Sequence, residues 1–143
     1  MTKVGKVSSL YYSPSTGRRA VDEFQLDTKG IVNDKHYNKK INRSVLITSL
    51  ESYALVQEHG IEISHGALGE NLLIDYNPYF MPAGARLKIG TATLEISQNC
   101  TLCKSLTAVD TKLPKLLKDD RGIFSKVVAA GTIRVGDDIY ILE

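Results

Sequence analysis

Short apolar segments that alternate with polar residues and end at glycine-rich turns recur along the 143-residue chain. Alternation with a period of two is typical of half-buried β-strands. We predict strands over residues 4–12, 43–48, 71–76, 86–89, 93–97, 124–128 and 138–142, with a hairpin turn at Gly90-Thr91 and further turns at Gly131 and Gly136. Because so many short strands in one chain must hide their edges, a closed or nearly closed barrel is favoured, and a sandwich is the alternative.

Helical signals are fewer. Thr48 and Glu51 form a predicted capping box at the start of one helix, and Gly60 is a natural stop for it. One face of this helix is predicted to carry Leu50, Tyr53, Ala54 and Gln57. Pro114 predicts a second short helix over residues 113–117. The chain contains no repeat and no flexible linker, so residues 1–143 are expected to form a single domain.

The composition excludes several classes of protein. Hydrophobic residues make up 43% of the chain, and the formal net charge is only +2, which argues against a nucleic-acid-binding domain. The two cysteines are too few for a disulfide-stapled secreted scaffold. The amino terminus lacks the apolar core of a signal peptide, and no window is apolar enough to span a membrane. We therefore expect a cytoplasmic protein whose cysteines are thiols.

The sharpest local feature is Cys100-Thr101-Leu102-Cys103, which follows a predicted strand. Four interpretations remain open from the spacing alone. The pair could be a thioredoxin-like redox motif, although helices are scarce for that fold, or half of a zinc site lacking a second CxxC. Cys103 could be a single reactive thiolate, or both cysteines could be small buried hydrophobic residues.

Two other segments are rich in polar residues. The turn from Gly30 to His36, with Lys39, Lys40 and Arg43 behind it, could bind an anion, or Asp34 could simply hold an Asx-turn. In the segment from His65 to Leu72, Glu70 and Asn71 could point into a pocket. Alternatively, Glu70 could accept hydrogen bonds from loop amides to hold the turn.

Taken together, these segments resemble the MOSC domain, the module named after the C-terminal part of molybdenum-cofactor sulfurases. The matching blocks, in chain order, are Gly30-x-x-x-Asp34-x-His36 with Arg43, Gly66-x-x-Gly69-Glu70-Asn71-Leu72, Pro82-Ala83-Gly84-Ala85-x-Leu87-x-Ile89-Gly90, Thr93-Leu94-Glu95-Ile96, Cys103, Arg121-Gly122, and Gly131-Thr132-Ile133-x-x-Gly136-Asp137. The family often has R-x-P-C at its cysteine, where this chain has Cys100 and Leu102 in place of the Arg and Pro. The resemblance implies a mainly β fold, a mixed and mostly antiparallel barrel with one or two short helices.

The resemblance also implies a function in sulfur handling. Cys103 would carry sulfane sulfur as a persulfide for delivery to a metal–sulfur cofactor, with Cys100 as a candidate resolving thiol. The expected ligand-binding residues are Asp34, His36, Arg43, Gly69, Glu70, Asn71 and Arg121, with Asp34 orienting His36 and with no resident metal. A sulfurtransferase-type activity would need neither pyridoxal phosphate nor a covalently bound cofactor. The implied partners are a sulfur donor such as a cysteine desulfurase and a molybdoenzyme or cofactor-synthesis protein, with no nucleic acid and no membrane.

A non-covalent module that binds molybdopterin, a phosphorylated pterin, is the alternative function, and a zinc or thiol-redox protein using both cysteines is a third. In the first two cases we expect Asp34, His36, Arg43, Glu70 and Cys103 to converge on one concave site, because clefts gather such polar groups.

Overall fold

The structure is a computed structural model that describes residues 1–100 and 109–143. It is mainly β, with 42% of the described residues in strands and 13% in helices. The strands are β1 (Thr2–Tyr12), β2 (Arg19–Val21), β3 (Glu23–Asp27), β4 (Gly30–Ile31), β5 (Val45–Ser49), β6 (Leu72–Ile74), β7 (Arg86–Ile89), β8 (Ala92–Asn99), β9 (Ile123–Ala129), β10 (Gly131–Arg134) and β11 (Asp138–Leu142).

Seven of these strands close into a mixed barrel in the order β11-β7-β8-β9-β5-β6-β1, because β1 pairs with β11. The β5–β6 pair is parallel, and the other pairs in the ring are antiparallel. The short β2 extends the sheet from β1, and a separate three-stranded sheet has the order β10-β3-β4. The predicted mixed, mostly antiparallel barrel is therefore confirmed.

Residues that alternate along a strand lie alternately inside and outside the barrel. In β7, Leu87 and Ile89 are buried while Arg86 and Lys88 are exposed. The core formed by such inward residues also includes Val7, Leu10, Ile47, Ile74, Leu94 and Ile139. Every residue of β5 is buried, as is every residue of its parallel neighbour β6.

Two α-helices lie in the described part of the chain, α1 (Leu50–Glu58) and α2 (Leu113–Leu116). Each starts close to its predicted position, and Pro114 sits in the first turn of α2 as expected. A short 3-10 helix, Ile41–Arg43, precedes β5, so that strand begins two residues later than predicted. None of the described helices is both long enough and apolar enough to cross a membrane.

Two details predicted for α1 are wrong. Ser49, not Thr48, is the N-cap, and its Oγ accepts the amide of Glu51 at 3.1 Å. The pairing of β5 with β6 extends through Ser49, so the hydroxyl of Thr48 instead donates to the carbonyl of Arg121. The buried residues of the helix are Ser52, Tyr53 and Val56, while Ala54 and Gln57 are exposed. The helix turns this face towards a second core cluster that includes Leu68, Leu73 and Leu113.

The prediction of a turn at Gly131 is also wrong, because this glycine begins β10. A Cβ atom there would lie 2.4 Å from the carbonyl carbon and oxygen of Thr91, so glycine is required by close backbone contact. The predicted hairpin turn at Gly90-Thr91 is confirmed by the pairing of Ile89 with Ala92. Strands β2, β3 and β4 were not predicted, since their two to five residues give little periodicity.

Candidate functional site

A tightly bonded loop of residues 66–70 forms the centre of the candidate site. Glu70 is fully buried, and its Oε2 accepts the Tyr53 hydroxyl at 2.7 Å and the Gly66 amide at 3.2 Å. The same hydroxyl accepts the amides of Gly66 and Leu68. Burial, reinforced by the Glu70 carboxylate, raises the pKa of Tyr53 far above its usual value, so the hydroxyl keeps the proton that it donates. Glu70 therefore accepts hydrogen bonds that hold the loop, which was the alternative to pointing into a pocket in the sequence analysis.

Two arginines donate to the carbonyls of this loop. Nη2 of Arg18 binds the carbonyls of Gly66 and Glu70, and its guanidinium stacks 5.0 Å from the ring centroid of Tyr11. Arg121 is 5% exposed, and its Nε and Nη2 donate to the carbonyl of Leu68 at 3.2 and 3.0 Å. The loop is thus fixed by a cation from the β1–β2 connection and by another from the segment before β9.

Gly69 fits closely beneath the second of these arginines. Its φ is +86°, a conformation that favours glycine, and a Cβ there would lie 3.3 Å from Nη2 of Arg121. Any larger side chain would strain the backbone and displace the guanidinium. Gly69 therefore shapes the site and offers no side chain to a ligand.

Two buried polar atoms at this loop have no hydrogen-bond partner among the described residues. They are Oε1 of Glu70, which lies 3.9 Å from Nη2 of Arg18, and Nη1 of Arg121. Buried polar atoms are nearly always bonded, and one without a partner costs about 1–3 kcal/mol. Arg121 therefore has a donor, and Glu70 an acceptor, that the described residues leave without a hydrogen bond.

Asn71 has a structural position. Its Oδ1 accepts the amide of Leu46 in β5 at 3.0 Å, and its Nδ2 donates to the carbonyl of Tyr11 in β1 at 3.1 Å. Both ends of the amide are therefore engaged in joining the start of β6 to its two neighbouring strands.

Asp34 is buried and binds backbone atoms only. Its Oδ1 accepts the amide of Ser13 at 2.7 Å, and its Oδ2 accepts the amide of His36 at 2.9 Å. The carboxylate thus fixes the turn onto the end of β1 without contacting the imidazole of His36, which belongs to an exposed residue. This arrangement corresponds to the Asx-type turn considered from the sequence.

Arg43 lies on the 3-10 helix at the end of β8. Its guanidinium sits 5.5 Å from the ring centroid of Phe124, a cation–π contact. In the amide orientation that satisfies the surrounding network, Oε1 of Gln98 accepts Nε and Nη2 of Arg43, each at 3.2 Å. The arginine is held firmly while remaining exposed.

Cys100 is 7% exposed, and its amide donates to the carbonyl of Gly122 at 3.1 Å. The chain therefore enters residues 101–108 directly beside Arg121. Cys103, the predicted catalytic residue, lies outside the described residues. Within the described residues, no cluster of His, Cys, Asp and Glu could hold a metal ion.

The structure brings most of the other predicted residues to β1 and β5, the two strands that flank β6. The end of β1 binds Asn71 through Tyr11 and Asp34 through Ser13. The start of β5 binds Asn71 through Leu46, three positions after Arg43 at the end of the 3-10 helix. An open cleft of about 330 Å³, lined in part by β1 and β2, contains none of the predicted site residues.

The family model of the MOSC domain matches residues 33–140 of this chain. The chain belongs to the MOSC domain family. Domains of this family are linked to molybdenum-cofactor proteins. No curated protein matches the chain.

Solved structures with the same fold include the YuaD protein of Bacillus subtilis, with a TM-score of 0.79 and 18% identity over 94% of this chain and 93% of that one. YiiM of Escherichia coli has a TM-score of 0.75 and 19% identity, covering 96% of this chain and 70% of its own. YiiM of Geobacillus stearothermophilus has a TM-score of 0.69 and 17% identity over 99% and 75% of the respective chains. At these identities, the similarity shows a shared fold.

The sequence reasoning missed two residues of the candidate site, Arg18 and Tyr53. Arg18 lies on the β1–β2 connection, 48 positions before the loop carbonyl of Gly66 that it binds, and no spacing rule relates the two. Tyr53 was expected on the helix face, and its aromatic body does pack there. A buried tyrosine usually needs a hydrogen-bond partner, which was the available signal for its second role.

Tyr53→Phe is expected to destabilise this MOSC domain by about 2–4 kcal/mol, measured by urea denaturation. The change removes the acceptor of the Gly66 and Leu68 amides and the donor to Glu70, and each buried group left unsatisfied costs about 1–3 kcal/mol. Tyr76→Phe is the control, because the Tyr76 hydroxyl has no hydrogen bond among those found in the described residues, and it should change stability by less than about 0.5 kcal/mol. Equal destabilisation by the two substitutions would contradict the role of the Tyr53 hydroxyl in holding the loop.

Proposed function

We propose that this MOSC protein carries sulfane sulfur on Cys103 as a persulfide and delivers it to a metal–sulfur cofactor. The observation that carries the proposal is the position of Arg121. This buried cation has an unpartnered Nη1 and is adjacent to Gly122, whose carbonyl receives the amide of Cys100. Cys103 follows Cys100 by three positions in the sequence, which supports Arg121 as the cation that serves its sulfur.

The proposed chemistry needs a thiolate and no external oxidant. The sulfur of Cys103 attacks the outer sulfur of a donor persulfide, the S–S bond of the donor breaks, and the donor leaves as its thiolate. A cation beside the attacking sulfur favours the thiolate over the thiol, whose pKa is otherwise about 8.5. Arg121 supports this role because a buried guanidinium is not screened as a surface charge would be.

Cys100 is proposed as the resolving thiol. Its sulfur would attack the inner sulfur of the Cys103 persulfide, forming a disulfide and releasing hydrosulfide, which balances atoms and charge. Its burial supports a resolving role over direct loading, because an external donor has little access to a side chain that is 7% exposed.

Mass spectrometry after incubation with a persulfide donor tests this proposal. One added sulfur on the peptide that contains Cys103 would support it. A protein that gains no sulfur under conditions that load a free cysteine peptide would contradict it.

Non-covalent binding of a phosphorylated pterin is the second candidate function, and the unpartnered atoms of Glu70 and Arg121 favour it. Arg121 would hold the phosphate, and Oε1 of Glu70 would accept from the N–H groups of the pterin ring. Molybdenum in the bound cofactor would supply the site that accepts sulfur. These side chains fit such a ligand because they offer it one cationic donor and one anionic acceptor.

Binding of molybdopterin is expected to weaken roughly tenfold between low and high salt, because attraction between its phosphate and partly exposed cations such as Arg43 is screened. Isothermal titration calorimetry at several salt concentrations measures the effect. The matched control is the same pterin without its phosphate, whose weaker binding should depend little on salt. Affinity of the phosphorylated pterin that stays constant over the series would count against an electrostatic site.

A further inference from the structure

The segment from residue 27 to residue 43, here called the basic loop, concentrates exposed positive charge in a short stretch of the chain. It contains five Lys or Arg residues against two Asp, a balance of +3, whereas the whole chain has a net charge of +2. All five cations are exposed: Lys29, Lys35, Lys39, Lys40 and Arg43. The rest of the chain is therefore slightly acidic, and the basic excess belongs to this loop.

The four lysines of the basic loop form no ion pair with any described residue. The ion pairs of the described residues instead use Lys3, Lys6, Arg18, Arg86, Lys126 and Arg134. The two acidic residues of the loop are engaged internally. Asp34 binds backbone amides, and Asp27 accepts the Tyr37 hydroxyl, which together with the Lys29 amide lowers the pKa of that carboxyl. Lys35, Lys39 and Lys40 therefore have no ion-pair partner among the described residues, whereas Lys29 interacts with the Asp27 carboxylate.

The backbone of the basic loop is held in place by hydrogen bonds. The amide of Lys35 donates to the carbonyl of Ser13 at 2.8 Å, and the amide of Asn38 donates to the carbonyl of Lys29 at 2.8 Å. Tyr37 adds a side-chain bond to Asp27. A backbone fixed in this way loses little conformational entropy on binding, so the entropy cost of docking is confined to the side chains.

An exposed apolar residue lies among these charges. Ile41 is 37% exposed and stands between Lys40 and Arg43 in the 3-10 helix. An apolar centre with a charged rim is the usual composition of a protein–protein interface. Phosphate backbones would gain nothing from the isoleucine, so this surface fits a protein better than a nucleic acid.

The basic loop also contacts the end of β8, the strand that precedes the Cys103 segment in the chain. The carbonyl of Asn42 accepts the hydroxyl of Ser97, and Arg43 is bonded to Gln98, both near the end of β8. The chain runs from there through Cys100 into residues 101–108. A protein bound to the basic loop would therefore lie beside the place where that segment begins.

We propose that the basic loop is a docking surface for an acidic face of the protein that exchanges sulfur with Cys103. Docking itself follows from charge, rigidity and the exposed Ile41, while the identity of the partner as a sulfur donor or acceptor rests on the proposed function.

The test uses the full chain and two short synthetic peptides, one rich in glutamate and leucine and one with glutamine in place of every glutamate. Fluorescence anisotropy with each peptide measures docking, and mass spectrometry with each peptide carrying a cysteine persulfide measures loading of Cys103. The glutamate peptide should bind and load roughly tenfold better than the glutamine peptide at low salt, and high salt should remove the difference.

The informative variant is Lys35→Glu/Lys39→Glu/Lys40→Glu. It should reduce binding and loading with the glutamate peptide to the level seen with the glutamine peptide. Lys112→Glu/Lys115→Glu/Lys118→Glu is the matched control, because it changes the net charge equally at exposed positions. Those lysines lie on and beside α2, which packs with α1. Helix α1 follows β5 in the chain, whereas the basic loop precedes β5. The control should retain at least half of the preference for glutamate.

Three results would overturn the docking surface: equal binding of the two peptides, equal losses in both triple variants, or displacement of the glutamate peptide by far lower concentrations of a single-stranded oligonucleotide. The last result would indicate a nucleic-acid surface instead. If the glutamate peptide binds as expected but its persulfide never loads Cys103, docking stands and the proposed sulfur transfer fails.

Discussion

Cys103→Ser is expected to abolish the gain of one sulfur atom when the protein is incubated with a persulfide donor. Only a thiolate attacks sulfane sulfur efficiently, and a serine hydroxyl does not ionise near neutral pH, so the loss should be complete within detection. The intact mass of the wild-type protein should rise by one sulfur, and that of the variant should not change.

Cys100→Ser supplies the comparison within the same motif. This variant should gain one sulfur as the wild type does and should hold it longer, because no neighbouring thiol can attack the persulfide and release hydrosulfide. The burial of Cys100 predicts that it is not loaded first. Loading of Cys103→Ser to the wild-type level would show that Cys100 is the carrier and that the two roles are reversed.

Arg121→Met is expected to slow the loading of Cys103 roughly tenfold at neutral pH. If the guanidinium lowers the pKa of the attacking thiol by about one unit, its removal reduces the thiolate fraction by about that factor. Methionine fills similar space without charge. A higher thiol pKa in the variant means less thiolate at neutral pH and therefore slower loading. The difference between the two rates disappears once the pH exceeds the thiol pKa of both proteins.

The pH profile of the loading rate separates this electrostatic effect from a structural one. Rates of Arg121→Met and wild type should converge in alkaline solution, where both thiols are ionised, and Arg121→Lys should recover part of the neutral rate. Loss of the hydrogen bonds to the Leu68 carbonyl should also destabilise the variant by about 1–3 kcal/mol. A tenfold deficit that persists at every pH would assign Arg121 a purely structural role.

The barrel was predictable because apolar and polar residues alternate within its strands and turn residues separate them. Leu87, Ile89, Leu94 and Ile96 alternate with polar residues around Gly90-Thr91, and the observed hairpin pairs these segments. Strands β3 and β10 were not predicted, since their pairing depends on each other across more than a hundred residues. Thr48 failed as a cap because tertiary pairing extended β5 by one residue and engaged its hydroxyl with Arg121.

By itself, the sequence determined the class of fold, the family blocks and the identity of the polar residues that could form a site. Local periodicity and turn chemistry reside in neighbouring residues, which is why they can be read without a structure. Only the tertiary structure decided which of those residues hold the backbone and which remain available. Asp34, Glu70 and Asn71 are engaged by backbone amides, while Arg18 and Tyr53 join the site from distant segments. The reason is geometric: a buried polar atom takes its partner from whichever segment the barrel brings within about 3 Å, regardless of sequence separation.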